Sequence, residues 1–197
     1  VLFRSSFEEV LGPRHPHVGA LLNNMGGVLY AKGDRDEALA SFRRAAVIFE
    51  ETLGPDHPSL AGALGNAATE LSARGEVDEA RTLAERSQAI KEARLGPRHP
   101  DLVPTLALLA ELALARDDPP AARELAERAL AIQAANDRTP DELAKVRWLL
   151  AKVVWLEPAQ RDRARALARQ ARDAYAALGE PYRDELAEID AWLAASR

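Results

Sequence analysis

Three histidines, His15, His57 and His99, recur every 42 residues, each inside a Leu-Gly-Pro-x-His-Pro hexapeptide: Leu11 to Pro16, Leu53 to Pro58 and Leu95 to Pro100. Imidazoles are zinc ligands, so the first chemistry to weigh is a metal centre. Zinc needs its ligands about 2 Å from a single ion, whereas positions that repeat on successive helix pairs are separated by helices packed roughly 8–10 Å axis to axis. The histidines therefore read as linker residues just ahead of a helix, each ring bonding the linker backbone, and no metal site is expected. His17 has no counterpart in the other two hexapeptides and reads as exposed.

The other reactive side chains point the same way. Asp36-Glu37 and Asp78-Glu79 recur where a helix begins, and the helix dipole favours negative charge there without any catalytic role. The chain has no cysteine, which excludes thiol catalysis, disulfides and thiolate metal sites. It carries no phosphate-cradling glycine loop, no serine-centred nucleophile motif and no paired histidines on one helix face. The expectation is a non-enzymatic segment with no cofactor.

Arg161, Arg165, Arg169 and Arg172 form a basic stripe, but a net charge of −5 argues against a nucleic-acid partner, which needs a clustered positive field. Glu180, Asp184, Glu185 and Glu188 follow closely, so the stripe reads as solvated or locally paired. No apolar stretch approaches the length that spans a bilayer, and no signal-peptide pattern opens the chain. Together with the missing cysteines this predicts a cytoplasmic location and no membrane partner.

The elements that position these residues follow from the period. Apolar residues are 47% of the chain but aromatics only 5%, so Ala and Leu dominate, which favours close-packed helices over sheet. The 42-residue registers are 11–52, 53–94 and 95–136, followed by a degenerate fourth at 137–178 and a final segment, 179–197, with Tyr182, Leu186, Ile189 and Leu193 on one face. That segment reads as a capping helix, which a solenoid needs to cover its last apolar face. Residues 1–10 read as the remnant of a preceding repeat, because Phe7-Glu8-Glu9 matches Phe49-Glu50-Glu51; Val1 to Ser6 lack such a match and are treated as non-native.

Within the first register, Pro16 opens a helix A that Gly33 ends, and a helix B from near Asp36 carries the stripe Ala38, Phe42, Ala45 and Phe49. Gly12, Gly54 and Gly96 are expected to take the left-handed helix cap, with the following proline preventing continuation.

Gly26, Gly33, Ala38, Phe42 and Ala45 fall in the order of the tetratricopeptide signature, which the first register resembles. The period, the hexapeptide and Asn23-Asn24 make it similar to the kinesin-light-chain type, and the fourth register with the polar-faced last helix resembles the C-terminal tetratricopeptide region of bacterial serine/threonine protein kinases. Only four of 26 basic residues are lysine, a bias that suggests a GC-rich bacterial genome. The resemblance implies an all-α, right-handed solenoid of helix pairs with a concave groove lined by the A helices. Carried onto this sequence, the groove set is Ala20, Asn23, Asn24, Gly27 and Tyr30, then Gly62, Gly65, Asn66, Thr69 and Ser72. Small residues and amides there suit an extended peptide, the alternative being that the Asn side chains bond within or between helices.

In the fourth register Lys145, Trp148, Lys152 and Trp155 share one helix face. Placing Ala151 at the packing position turns that face to the groove and avoids burying the Lys152 ammonium, so the four residues read either as a ladder for an acidic, aromatic peptide or as a face whose indole rings are covered by the capping helix. The predicted function is a protein- or peptide-binding scaffold or sensor segment of a larger bacterial signalling protein. A free-standing chaperone-like or assembly adaptor is the alternative.

Overall fold

The computed structural model describes residues 10–136 and 139–196, and every regular element in it is helical. Nine α-helices run in order among the described residues: α1 (Pro16–Lys32), α2 (Arg35–Leu53), α3 (Pro58–Ala73), α4 (Val77–Leu95), α5 (Val103–Ala115), α6 (Pro119–Ala134), α7 (Pro140–Trp155), α8 (Arg161–Leu178) and α9 (Arg183–Ala195). Short 3-10 turns precede α5, α8 and α9. The expected remnant at 1–10 lies, except for Val10, outside the described residues.

The chain divides into two compact units, the first ending at Arg98 and the second beginning at His99. In the first unit α1 packs on α2, α2 on α3 and α3 on α4, and α1 also touches α3. In the second the same order runs from α5 to α9, and α5 touches α7. Each unit is thus a stack of helix hairpins whose first helices lie side by side.

The hexapeptide works through backbone chemistry, with one correction. Gly54 and Gly96 have φ of 94° and 91°, but their ψ values of 166° and 159° are extended, so they are not left-handed caps. The following Pro55 or Pro97 is the cause: its ring crowds the preceding residue out of helical ψ values and toward the extended region. Positive φ with extended ψ is open essentially only to glycine. Gly33, which has no proline after it, does take the left-handed cap, with φ 88° and ψ 4°. In the third register the turn glycine is replaced by Asp117 at φ 58°, and Asp118 then caps α6 by accepting from the Ala121 N–H at 3.1 Å.

Each linker histidine caps the helix that follows. Nδ1 of His15, His57 and His99 accepts the backbone N–H of His17, Ser59 and Asp101 at 3.2, 3.1 and 3.2 Å, so the acceptor nitrogen is unprotonated and the proton sits on Nε2. The proline behind each one occupies the first helical position, where no N–H is needed. Replacing His57 with Ala should cost about 1 kcal/mol of stability in urea denaturation, the usual worth of an N-cap, while His57→Asn should keep most of it.

Two glycines of α1 are fixed by packing. A Cβ on Gly26 would stand 2.6 Å from the Phe42 ring, and one on Gly19 would stand 2.9 Å from the Phe49 ring. These rings, with Val18, Leu22, Leu60 and Leu64, form the apolar interior of the first unit. On the outer side, Arg86 pairs with Glu50 and Arg43 with Glu79, both at 2.5 Å, tying α4 to α2 one repeat apart. The Arg86 guanidinium holds the Glu50 carboxyl below its usual range by a direct hydrogen bond.

Candidate functional site

The buried side of α1 (Val18, Gly19, Leu22, Gly26) meets α2, which leaves the other side of the helix for the predicted groove set. Asn24, Gly27 and Tyr30 are exposed and Asn23 is half-buried. On α3, Asn66 and Thr69 are exposed, and Gly62, Gly65 and Ser72 are half-buried. The two helices are joined across this face: Asn66 Nδ2 donates to Asn23 Oδ1 at 3.0 Å. That bond spends one amide from each helix on the scaffold. Asn24 makes no side-chain hydrogen bond among the described residues, and Thr69 donates back to the Gly65 carbonyl at 3.0 Å. Tyr30 forms one end of the face, with the Arg35 guanidinium 5.5 Å from its ring centroid.

Gly27 and Gly62 are the informative residues. Each sits inside a helix, where glycine costs roughly 0.5–1 kcal/mol relative to alanine, yet a Cβ at either position would meet nothing within 4 Å. Packing explains Gly19 and Gly26; it explains neither of these.

In the second unit the predicted ladder is corrected. Ala151 is fully buried, as the chosen helix register requires, and Lys145 is exposed. Trp148, however, is only 6% exposed, because α9 lies on it. Its Nε1–H donates to Glu188 Oε1 at 3.2 Å, and Trp192 meets its ring edge-on at 5.3 Å. Lys152 holds its ammonium 3.7 Å from Glu188 and 5.2 Å from the Trp148 ring. Trp155 is half-buried, with Trp192 at 5.0 Å and the guanidinium groups of Arg161 and Arg165 at 5.0 and 5.3 Å. An acid and a tryptophan do approach the ladder, but the chain's own last helix supplies them. Trp148 is therefore an interior residue, and the four side chains do not form an open ligand face.

Around this cluster Tyr182 donates to Asp141 Oδ2 at 3.0 Å and stacks on Tyr175 at 5.1 Å. Hydroxyl donation from Thr139 and then from Tyr182 holds the Asp141 carboxyl below its usual range. Burial, reinforced by the Glu185 and Asp141 carboxylates, pushes the Tyr175 phenol up to about 12. Two of the four arginines in the basic stripe are paired locally, though not with the expected acids: Arg172 meets Asp190 at 2.7 Å and Arg165 meets Asp162 at 2.9 Å.

One ionic feature escaped the sequence reading. Glu70 is completely buried on α3, with Arg74 at 3.1 Å and Arg35 at 3.8 Å, and Arg74 also reaches Asp36 at 2.8 Å. Glu70 Oε2 and one Arg74 nitrogen have no hydrogen-bond partner there. The signal was present, since the same register position is Val28 in the first repeat and Leu112 in the third. No cluster of metal-ligating side chains occurs among the described residues, and no described helix is long and apolar enough to cross a membrane.

The family model described as tetratricopeptide repeat matches residues 17–93 and, in a second overlapping placement, 63–135. Among solved structures the chain is similar to a Podosopora anserina protein described as a kinesin light chain with nearly identical TPR-like repeats. The TM-score is 0.70 at 27% identity, over 89% of this chain and 82% of that one. It also shares its fold with BtubC (BKLC) from P. vanneervenii, with a TM-score of 0.73 at 19% identity, over 84% of this chain and 67% of that one. No curated protein matches.

Proposed function

This chain belongs to the tetratricopeptide repeat family, and from that premise we propose that it is a non-enzymatic scaffold segment that binds an extended peptide along α1 and α3. The observation that carries the reading is the pair Gly27 and Gly62, helix-weakening residues with open space where a side chain would be. Absent side chains let a ligand backbone approach the helix closely, and the unbonded amide of Asn24 can both donate to and accept from a peptide unit. The setting proposed is the cytoplasm, in a larger bacterial signalling protein of the kind that joins such repeats to a serine/threonine protein kinase.

The two glycines allow a test in which stability and binding move in opposite directions. Gly27→Ala and Gly62→Ala should each stabilise the protein by about 0.5–1 kcal/mol, since alanine is the better helix former and meets no obstacle. Both should weaken capture of peptides selected from a displayed random library, and Gly27→Leu should abolish it. If selected peptides bind all three variants as well as the parent chain, the groove assignment is wrong. Asn24→Ala, which breaks no internal bond, should lower affinity with no change in melting temperature.

A further inference from the structure

A cleft of about 380 Å³ opens between α8 and α9, lined by Arg165, Arg169, Asp190, Leu193, Ala194 and Ser196. Its size lies in the range of small-ligand sites. Its charges are not equivalent. Asp190 is occupied by Arg172 at 2.7 Å. Arg165 is held from three sides: Nε donates to the Ser196 carbonyl at 2.7 Å, one terminal nitrogen donates to Asp162 at 2.9 Å, and the guanidinium lies over the Trp155 ring at 5.3 Å. Its position is thus set before any ligand arrives, and its second terminal nitrogen has no hydrogen-bond partner among the described residues. Arg169, one turn further along the same helix, is exposed and has no acidic partner among the described residues; of the other α8 arginines, Arg163, Arg165 and Arg172 each have one and Arg161 lies over the Trp155 ring. Facing these two cations are the apolar side chains of Leu193 and Ala194.

We propose that this cleft binds a carboxylate monoanion bearing a short aliphatic group, with the carboxylate between Arg165 and Arg169 and the aliphatic part against Leu193 and Ala194. One anchored and one exposed guanidinium suit a planar carboxylate, which accepts two charge-assisted hydrogen bonds. The apolar wall selects against bare inorganic anions, and Asp190, already neutralised by Arg172, does not oppose the ligand. The same chemistry occurs in a free aliphatic acid and in the C-terminal residue of a peptide. The site lies on α8 and α9, separate from the α1 and α3 face, so neither proposal depends on the other.

The test uses the full chain, nitrogen-15 labelled, at constant ionic strength. N-acetyl-leucine should give saturable shifts at the Leu193 and Ala194 amides and the Arg169 Nε–H. N-acetyl-leucinamide, which lacks the charge, should not, and acetate, which lacks the apolar group, should bind far more weakly. Arg169→Gln should weaken N-acetyl-leucine about tenfold, the scale of one lost charge-assisted hydrogen bond. Ala194→Glu, also at an exposed position, should abolish binding by like-charge repulsion. A tripeptide ending in a free leucine carboxylate that binds more tightly than N-acetyl-leucine assigns the cleft to peptide C termini; equal affinity assigns it to free acids. The proposal is overturned by the absence of saturable shifts, by equal shifts with the amide, or by unchanged affinity in Arg169→Gln.

Discussion

Trp148→Ala should destabilise the second unit by about 3–5 kcal/mol, the range for deleting a buried indole, and should leave peptide capture by α1 and α3 unchanged. The size of the effect comes from three losses at one position. The indole is 6% exposed in the cluster that holds Leu149, Val153, Tyr175 and Ile189. Removing it deprives Glu188 of an N–H donor at 3.2 Å and Trp192 of an edge contact at 5.3 Å. It also leaves Lys152 with no ring beneath its ammonium. Since all three tryptophans of the chain, Trp148, Trp155 and Trp192, meet here, tryptophan emission reports on this cluster alone. Urea titration followed by emission should show the lower midpoint, while far-ultraviolet circular dichroism should retain a transition from the first unit. A loss below about 1 kcal/mol, the scale of an exposed site, would return the ring to the list of ligand contacts.

Trp148, which the sequence leaves open between groove and capping helix, shows where reading a repeat from its sequence stops. Periodicity together with the cost of burying Lys152 correctly oriented α7, and Ala151 is interior. What covers the opposite side is set by residues 40 or more positions later, Glu188 and Trp192, and no local rule links them to Trp148. The hexapeptide was legible because each of its effects is local. Proline sets its own φ and the ψ of the residue before it, and the histidine cap spans two positions. The extended ψ of Gly54 was derivable from Pro55 in the same way, had the glycine and proline effects been combined. Glu70 was visible as an acid in an apolar column, but its cations are supplied by folding: Arg74 one turn on and Arg35 from another helix. The small and polar residues of the proposed groove set are exposed or half-buried on α1 and α3. The Asn23 to Asn66 bond, between positions 43 apart, was not legible in the same way, because folding brings the two amides together.

The first unit offers an equally large effect with an internal control. Phe42 is 3% exposed and packs into the space left by Gly26. In the second repeat the corresponding pair is Ala68 and Ala84, and in the third it is Ala110 and Ala126, all fully buried. The two helices therefore close in two ways: an aromatic ring against no side chain, or a methyl against a methyl. Phe42→Ala alone should cost about 3–5 kcal/mol, because a cavity opens beside a glycine that cannot fill it. Gly26→Ala alone should cost about 1–3 kcal/mol, since the new methyl would press on a ring 2.6 Å away, despite the gain in helix propensity. The double variant reproduces the pairing of the next two repeats and should be more stable than the sum of the single effects predicts, by about 1–3 kcal/mol in a double-mutant cycle. Far-ultraviolet circular dichroism in urea is the measurement, because no tryptophan lies in the first unit. Strict additivity would mean that the two residues do not compete for the same volume. The glycine would then be held by some other demand on α1, and the alternation between Gly–Phe and Ala–Ala along the repeats would lose its packing explanation.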